Sequence, residues 1–274
     1  MSVDLDRVAV DDRGVGPAVL LVHGQPGRAA DWEPVSRQLA ADHRVLALDR
    51  PGYGATGGPA MGMVANADLL ASLLRRRAAW PATVVGHSWG GGVAVLLAAC
   101  HPELVAGLVL VGAVGGAGSV GLADRVLAVP GVGEAASSGL LLFGNVTFPV
   151  VRRWASRLPA PLGPYLAASL PDGRFAVGRD EHHRLRRSFL AEQRFLIHEL
   201  PLVATCLRQV RTPTTVVTGA WDTVVPPAAS RALAEVIPGA ELVTLPEVGH
   251  LVFRDAPVPL AAAVRTTARA AGVA

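Results

Sequence analysis

Short apolar runs alternate along the chain with segments whose apolar residues recur at helical spacing. The run Ala18–Val22 is continuously apolar and ends at His-Gly, which is typical of a strand buried on both faces. Five later runs have the same character: Val45–Leu48, Thr83–Val85, Val105–Val111, Thr214–Thr218 and Glu241–Leu245. The helical patterns between and after them are Trp32–Ala41, Val64–Arg77, Gly90–Cys100, Pro227–Val236 and Pro257–Ala271. This alternation predicts an α/β fold, a largely parallel sheet covered by helices on both faces.

The alternation is interrupted once, between about residues 113 and 211. This segment has helical patches, frequent Pro and Gly and no strand pattern of comparable quality. A structureless loop of that length is improbable, so we expect an inserted helical lid at 113–211 and a core made of 1–112 and 212–274. Apolar residues of this segment indicate either a hydrophobic substrate pocket or an ordinary helix core: Leu140–Phe143, Val146–Val151, Phe189 and Phe195.

Composition excludes several classes of protein. Of the 274 residues, 51% are apolar and 17% charged, which is incompatible with a disordered chain. The net charge is +3, and every basic residue is Arg, spread from Arg7 to Arg269. We therefore expect no nucleic-acid partner, because such binding requires a concentrated basic patch. Cys100 and Cys206 both lie in apolar runs and are expected to be buried free thiols.

We expect no stable insertion into a membrane, and one long apolar stretch bears on this expectation. Val105–Ala123 is apolar except for Ser119 and is nearly long enough to span a bilayer. It contains six glycines and has no basic anchor at its start, so a buried strand followed by a Gly-rich loop fits better. The N-terminal segment has an acidic start and no signal-peptide pattern, from which we expect a cytoplasmic location.

The sharpest candidate for chemistry is a G-x-S-x-G motif, Gly86-His-Ser88-Trp-Gly90. It follows the predicted strand Thr83–Val85 and precedes a predicted helix. In that context the glycines allow a sharp turn, so the serine sits at its apex with its hydroxyl above the sheet. Ser88 is therefore the predicted nucleophile.

A serine hydroxyl needs a base, and the base needs an acid to orient it. His250 follows the late strand Glu241–Leu245, and Asp222 follows the preceding strand Thr214–Thr218. The chain order Ser88, Asp222, His250 is the order that this kind of motif requires. We predict that His250 takes the Ser88 proton and that Asp222 orients the imidazole.

An oxyanion in such a site needs two donors aimed at one point. Trp89, directly after the nucleophile, offers one backbone N–H, and Gln25, in the loop after the first buried strand, offers the second. A mere Gly/Pro turn is the alternative for that loop. Five other histidines are expected to be structural or exposed: His23, His87, His101, His182 and His183. This chemistry calls for no metal and no organic cofactor.

With these segments in place, the sequence resembles the alpha/beta-hydrolase superfamily. The matching segments, in family order over about Ala18–His250, are His23-Gly-Gln-Pro-Gly27, Asp49-Arg-Pro-Gly-Tyr-Gly54, Gly86-His-Ser-Trp-Gly90, Gly219–Asp222 and Gly249-His250. The resemblance implies an eight-stranded, mostly parallel sheet, a lid after the sixth strand and triad chemistry. It also implies that the Asp49–Gly54 loop is a structural turn near the site.

Within the superfamily, the segments look most like the branch of epoxide hydrolases, haloalkane dehalogenases, cofactor-free haloperoxidases and small esterases. Epoxide hydrolases and dehalogenases carry an Asp nucleophile where this chain has Ser88, which disfavours an alkyl-enzyme route. Haloperoxidase-like members usually have an aromatic residue where this chain has Gln25, which disfavours a haloperoxidase-like activity. Proline iminopeptidases resemble two of the segments and bind a substrate amine with lid carboxylates, for which Glu181, Glu192 and Glu199 are candidates.

The leading hypothesis is a serine hydrolase that cleaves an ester, lactone or thioester of a small apolar substrate. The alternatives are lyase, acyl-transfer or cyclisation chemistry at the same triad, a proline-iminopeptidase-like activity, and a non-catalytic ligand-binding member of the superfamily.

Overall fold

A seven-stranded sheet forms the centre of the computed structural model, which describes residues 4–137, 153–155, 157–158, 163 and 179–273. The strands are β1 (Val10–Arg13), β2 (Ala18–Val22), β3 (Arg44–Leu48), β4 (Ala82–His87), β5 (Val105–Val111), β6 (Thr214–Gly219) and β7 (Glu241–Leu245). Their order in the sheet is β1-β3-β2-β4-β5-β6-β7. All neighbours are parallel except β1 and β3, which pair antiparallel. The predicted fold class is thereby confirmed.

The helices lie between and after the strands. They are α1 (Glu33–Leu39), α2 (Met63–Arg76), α3 (Trp89–Cys100), α4 (Leu122–Ala128), α5 (Arg179–Cys206), α6 (Pro227–Val236), α7 (Val252–Asp255) and α8 (Pro257–Ala270). The five helices predicted from apolar periodicity all form, each within about two residues of its expected ends.

The strand number is a correction to the sequence prediction, because the described residues contain seven strands of the sheet instead of the expected eight. Before β1, Leu5–Arg7 forms a short 3₁₀ helix whose first turn is capped by the Asp4 side chain. That capped turn uses the local backbone groups in a helical conformation, so Leu5–Arg7 does not pair alongside β1.

Each buried strand supplies alternate residues to two hydrophobic clusters, one on each face of the sheet. Leu20 and Val22 of β2 join the cluster that packs against α2, α3 and α5. Val19 and Leu21 point to the opposite face and pack against α1, α7 and α8. Because successive strand side chains alternate, a sheet covered on both faces requires strands that are apolar at every position.

The two cysteines differ in exposure, which corrects one expectation. Both are free thiols, but Cys206 is buried whereas Cys100 is exposed. Cys100 is the last residue of α3, two positions beyond Ala98, the last buried residue of that helix.

Between β5 and β6 the regular structure of the described residues is helical, chiefly α4 and the 28-residue helix α5, which packs against α3 and α4. Phe195 of α5 packs against the core. The predicted apolar pieces Leu140–Phe143 and Val146–Val151 lie outside the described residues. Val105–Val111 is strand β5, and none of the helices in the described ranges is long and apolar enough to cross a membrane.

Candidate active site

Ser88 occupies the sharp turn between β4 and α3. Its backbone has φ 52° and ψ −120°, a positive φ that is unfavourable for a residue with a side chain. The Ser88 N–H donates a hydrogen bond to the Val111 carbonyl at 2.9 Å, which ties the turn to the end of β5. Strain of this kind persists only where neighbouring contacts hold the backbone, and it is common at catalytic residues.

The glycines around Ser88 are required by close packing. A Cβ atom added at Gly86 would lie 2.6 Å from the Gly90 carbonyl oxygen and 2.7 Å from the Gly91 Cα. A Cβ at Gly90 would collide with the carbonyl oxygens of Val22 and His23, at the end of β2. The motif therefore brings β2, the turn and α3 closer together than any larger residues permit.

Asp222 and His250 are joined by a hydrogen bond at the carboxyl ends of the strands. The distance between His250 Nδ1 and Asp222 Oδ2 is 2.7 Å. Because an ionised carboxylate only accepts hydrogen bonds, Nδ1 carries the proton and Nε2 is left as the basic nitrogen. The second oxygen, Oδ1, accepts the backbone N–H groups of Val224 and Val225, both at 2.9 Å. The buried carboxylate is thus held in one orientation.

The end of β5 lies between this pair and Ser88. A Cβ atom added at Gly112 would lie 3.0 Å from Asp222 Oδ2 and 3.1 Å from His250 Nδ1. Gly112 directly follows Val111, the residue that accepts the Ser88 N–H. In the described part of the chain, the Ser88 hydroxyl makes no hydrogen bond to the His250 ring. The structure therefore joins Asp222 to His250 and brings Ser88 to the same edge of the sheet, without a hydrogen bond between Ser88 and His250.

His87 contacts the candidate base, a relationship that the sequence prediction missed. Its Nε2 donates a hydrogen bond to the His250 carbonyl at 3.0 Å, and the two ring centroids are 4.6 Å apart. Burial, together with the nearby His250, holds the pKa of His87 well below its ordinary value. His87 is therefore a neutral ring that anchors the His250 backbone. Its position beside Ser88 was the only available signal, and adjacency alone does not reveal this contact.

The loop predicted to supply an oxyanion donor runs against the nucleophile. A Cβ atom added at Gly24 would lie 2.7 Å from His87 Nδ1 and 3.0 Å from the Ser88 Cβ. Gln25 follows, and its side-chain Nε2 donates to the Phe189 carbonyl of α5 at 2.6 Å. Trp89 is the first residue of α3, so its backbone N–H has no acceptor within the helix.

A buried ion pair beside this loop was also missed. Arg50 and Glu192 are both fully buried, and the guanidinium of Arg50 pairs with the Glu192 carboxylate. Tyr53 donates its hydroxyl to Glu192 Oε2 at 2.6 Å. Burial raises the pKa of the Glu192 carboxyl against the opposing effect of Arg50, and burial also raises the pKa of the Tyr53 hydroxyl, which keeps it a donor. The partners are 142 residues apart in sequence, so no local pattern links them.

These contacts bear on the three glutamates considered for amine binding. Glu192 is fully buried and occupied by Arg50 and Tyr53. Glu199 accepts the backbone N–H of Met63 at the start of α2. Two of the three candidates are thus engaged within the protein, and Glu181 is the remaining one.

The Asp49–Gly54 loop is held by its own first residue. Asp49 Oδ1 accepts the Ala29 N–H at 2.7 Å, and Oδ2 accepts the Ala55 N–H at 2.8 Å. Both carboxylate oxygens serve the turn, in agreement with the structural role expected from the resemblance.

Comparison with known proteins places this architecture in a family. A family model described as "alpha/beta hydrolase fold" matches residues 17–257. Among solved structures, a thermophilic esterase from Thermogutta terrifontis has a TM-score of 0.70 and 24% identity, with 96% of this chain and 93% of that chain covered. At that identity the likeness shows the fold alone.

Two curated relatives illustrate the range of similar sequences. Human epoxide hydrolase 4 is 35% identical over 108 residues, which are 38% of this chain and 30% of that protein. The Mycobacterium tuberculosis protein Rv2715, whose function is uncharacterised, is 29% identical over 255 residues, which are 89% of this chain and 73% of that protein.

Proposed function

The chain belongs to the alpha/beta hydrolase family, and from that premise we propose that it is a serine hydrolase acting on an ester, lactone or thioester of a small apolar substrate. The observation that carries the proposal is the Asp222–His250 hydrogen bond of 2.7 Å at the edge of the sheet where Ser88 holds its strained turn. An oriented imidazole beside a strained serine is the arrangement that activates a hydroxyl for attack on a carbonyl.

The proposed reaction proceeds through an acyl-enzyme. Ser88 Oγ attacks the substrate carbonyl while His250 Nε2 takes its proton, and Asp222 stabilises the resulting imidazolium. The backbone N–H groups of Gln25 and Trp89 bind the oxyanion. His250 then protonates the leaving group, and a water molecule, deprotonated by His250, releases the acid and restores Ser88.

We also propose that residues 113–211 act as the lid over this site, with core residues 1–112 and 212–274 holding the catalytic groups. The support comes from α5, whose Phe189 carbonyl accepts the side-chain amide of Gln25. The indole N–H of Trp89 donates to the Glu192 carbonyl, also on α5, at 3.3 Å. Two predicted oxyanion residues therefore rest directly on the inserted segment.

Ser88 in this sequence also distinguishes the proposal from epoxide hydrolysis through an alkyl-enzyme. That route requires a carboxylate nucleophile, whereas a serine alkoxide forms an acyl-enzyme from a carbonyl substrate. The chemistry of the side chain at this position therefore favours an ester-type substrate.

The test is covalent labelling combined with a substitution. We expect a fluorophosphonate to form an adduct at Ser88 of the folded protein, and Ser88→Ala to reduce kcat on p-nitrophenyl acetate by roughly 10⁴-fold or more. Peptide mass spectrometry locates the adduct, and a panel of p-nitrophenyl esters of graded chain length defines the pocket. Incorporation of ¹⁸O from labelled water into the acid product separates hydrolysis from acyl transfer.

Ser36→Ala is the matched control. Ser36 is a buried serine of α1 whose hydroxyl has no hydrogen-bond partner among the described residues, so its removal should leave labelling and kcat unchanged. Absence of any adduct at Ser88 in folded protein would remove the proposal.

A further inference from the structure

Arg50, which is fully buried, contacts the two loop residues before Gln25 and the ring of Trp89. Its Nε donates to the His23 carbonyl at 3.1 Å, and its Nη2 donates to the Gly24 carbonyl at 2.8 Å. These two carbonyls immediately precede Gln25 in the loop. The Arg50 Cζ also lies over the Trp89 ring, 4.2 Å from its centroid.

The carboxylate that neutralises Arg50 comes from the inserted segment. Glu192 of α5 accepts from Nη1 and, at 3.3 Å, from Nη2 of Arg50. A guanidinium buried without a counterion would carry a large desolvation penalty, so Arg50 can hold the loop in this position only while Glu192 is in place. The shape of the Arg50 guanidinium also contributes, because its several N–H groups can donate to two loop carbonyls and a carboxylate at the same time.

Three further contacts fasten the same part of α5 to the site. Ser188 Oγ donates to the Gly52 carbonyl at 2.8 Å, Gln25 Nε2 donates to the Phe189 carbonyl at 2.6 Å, and Trp89 Nε1 donates to the Glu192 carbonyl at 3.3 Å. One turn of α5 therefore meets the Gln25 loop, the Asp49–Gly54 loop and the first residue of α3.

We propose that Arg50 is a positioning residue for the oxyanion hole. Glu192 and Tyr53 hold Arg50 in place, so the position of α5 determines where the N–H groups of Gln25 and Trp89 point. This inference rests on the proposed serine-hydrolase function. The Arg50–Glu192 pair has no net charge, so its effect on catalysis is one of position. A displacement of about 1 Å in such a site is enough to lower a rate by roughly 10²-fold.

The experiment compares Glu192→Gln and Tyr53→Phe with the parent protein. We expect kcat on p-nitrophenyl acetate to fall by roughly 10²-fold in Glu192→Gln and by roughly 10-fold in Tyr53→Phe, with KM changed less than about threefold. The Ki of a trifluoromethyl ketone, whose adduct with serine carries an oxyanion, should rise in parallel with the loss of kcat/KM. Tyr53→Phe leaves the ion pair in place, so it tests the proposal even where Glu192→Gln does not fold.

Glu199→Gln is the matched control. Glu199 also ties α5 to the core, through the Met63 N–H, but among the described residues it makes no hydrogen bond to the Gln25 loop or to Trp89. We expect this variant to alter the thermal midpoint at most, with kcat and the ketone Ki unchanged. A merely structural role of Glu192 would produce that same result in Glu192→Gln.

The outcomes separate the two proposals. A parent protein that reacts with fluorophosphonate, together with folded Glu192→Gln and Tyr53→Phe variants of unchanged kcat and Ki, overturns the positioning role alone. Equal losses of kcat in Glu199→Gln also overturn it, because the effect would then be a general loosening of α5. A parent protein without reactivity at Ser88 overturns the proposed function and this inference with it.

Discussion

At the scale of single residues, the Asp222 carboxylate is held in one orientation by three hydrogen bonds. One carboxylate oxygen accepts from His250 Nδ1, and the other accepts two backbone N–H groups in the turn that follows β6. The side chain has no exposed surface. Charge-assisted hydrogen bonds of this kind keep the carboxylate in one rotamer and the imidazole in one tautomer.

Replacement of Asp222 by Asn tests that role. The Asn Oδ1 still accepts from Val224 and Val225, so we expect the variant to fold, but its amide group now faces His250 Nδ1 and favours the wrong tautomer. We expect kcat on p-nitrophenyl acetate to fall by roughly 10³- to 10⁴-fold, the order of magnitude known for the same substitution in a Ser-His-Asp protease.

The control is a second His–Asp contact in the same chain. His101 Nε2 lies 3.2 Å from Asp68 Oδ1 at the surface, and Asp68→Asn should leave kcat unchanged. A folded Asp222→Asn variant with kcat within threefold of the parent would show that Asp222 does not orient the base.

At the scale of elements, the position of Ser88 depends on a tight connection from β4 to α3. The turn forces Ser88 to a positive φ, and Gly86 faces the first turn of α3 at a separation that excludes a methyl group. Packed interiors do not absorb an extra carbon without displacement of backbone. The connection should therefore be sensitive to the addition of even a single methyl group.

Gly86→Ala is predicted to lower the free energy of unfolding by about 3 kcal/mol, because the new Cβ meets backbone atoms of Gly90 and Gly91. Urea unfolding followed by circular dichroism measures the change. Gly116→Ala is the matched control, since a Cβ there would meet no atom of the described residues within 4 Å, and we expect a change within about 0.5 kcal/mol. Equal stability of the two variants would contradict the packing argument.

At the scale of the whole molecule, two buried histidines link stability to pH. Burial lowers the pKa of His23 well below its ordinary value, helped by the adjacent Arg50, and burial with the nearby His250 does the same for His87. In the unfolded chain both rings take up a proton near their ordinary pKa of about 6.5. Below that pH the unfolded state therefore binds more protons than the folded state.

The sign follows from proton linkage. We expect the contribution of these rings to the free energy of unfolding to be fully present above about pH 6.5. It should be lost as the pH falls toward their folded pKa values, at up to about 1.4 kcal/mol per pH unit for each ring. Urea unfolding at intervals between pH 5 and 7.5 measures the slope. His87→Gln should make the slope shallower, and identical slopes in the two proteins would contradict the prediction.

Much of the fold could be predicted because the parallel strands are buried on both faces. Ala18–Val22 and Val105–Val111 begin and end where the apolar runs predicted. Strand β1 (Val10–Arg13) was missed because it is a partly exposed edge strand with three charged residues among four, which leaves no hydrophobic pattern. At the opposite edge, Glu241–Leu245 forms as predicted but is more exposed than the expected buried strand.

The sequence by itself determined which side chains stand at the ends of the strands, since a strand, its turn and the next helix are encoded by neighbouring residues. It thereby nominated Ser88, Asp222 and His250 before any contact was known. Only the tertiary structure decided that His87 holds His250 and that Arg50 pairs with Glu192. Such pairs depend on how separate layers pack against one another, and residues 142 positions apart share no local pattern from which their contact could be inferred.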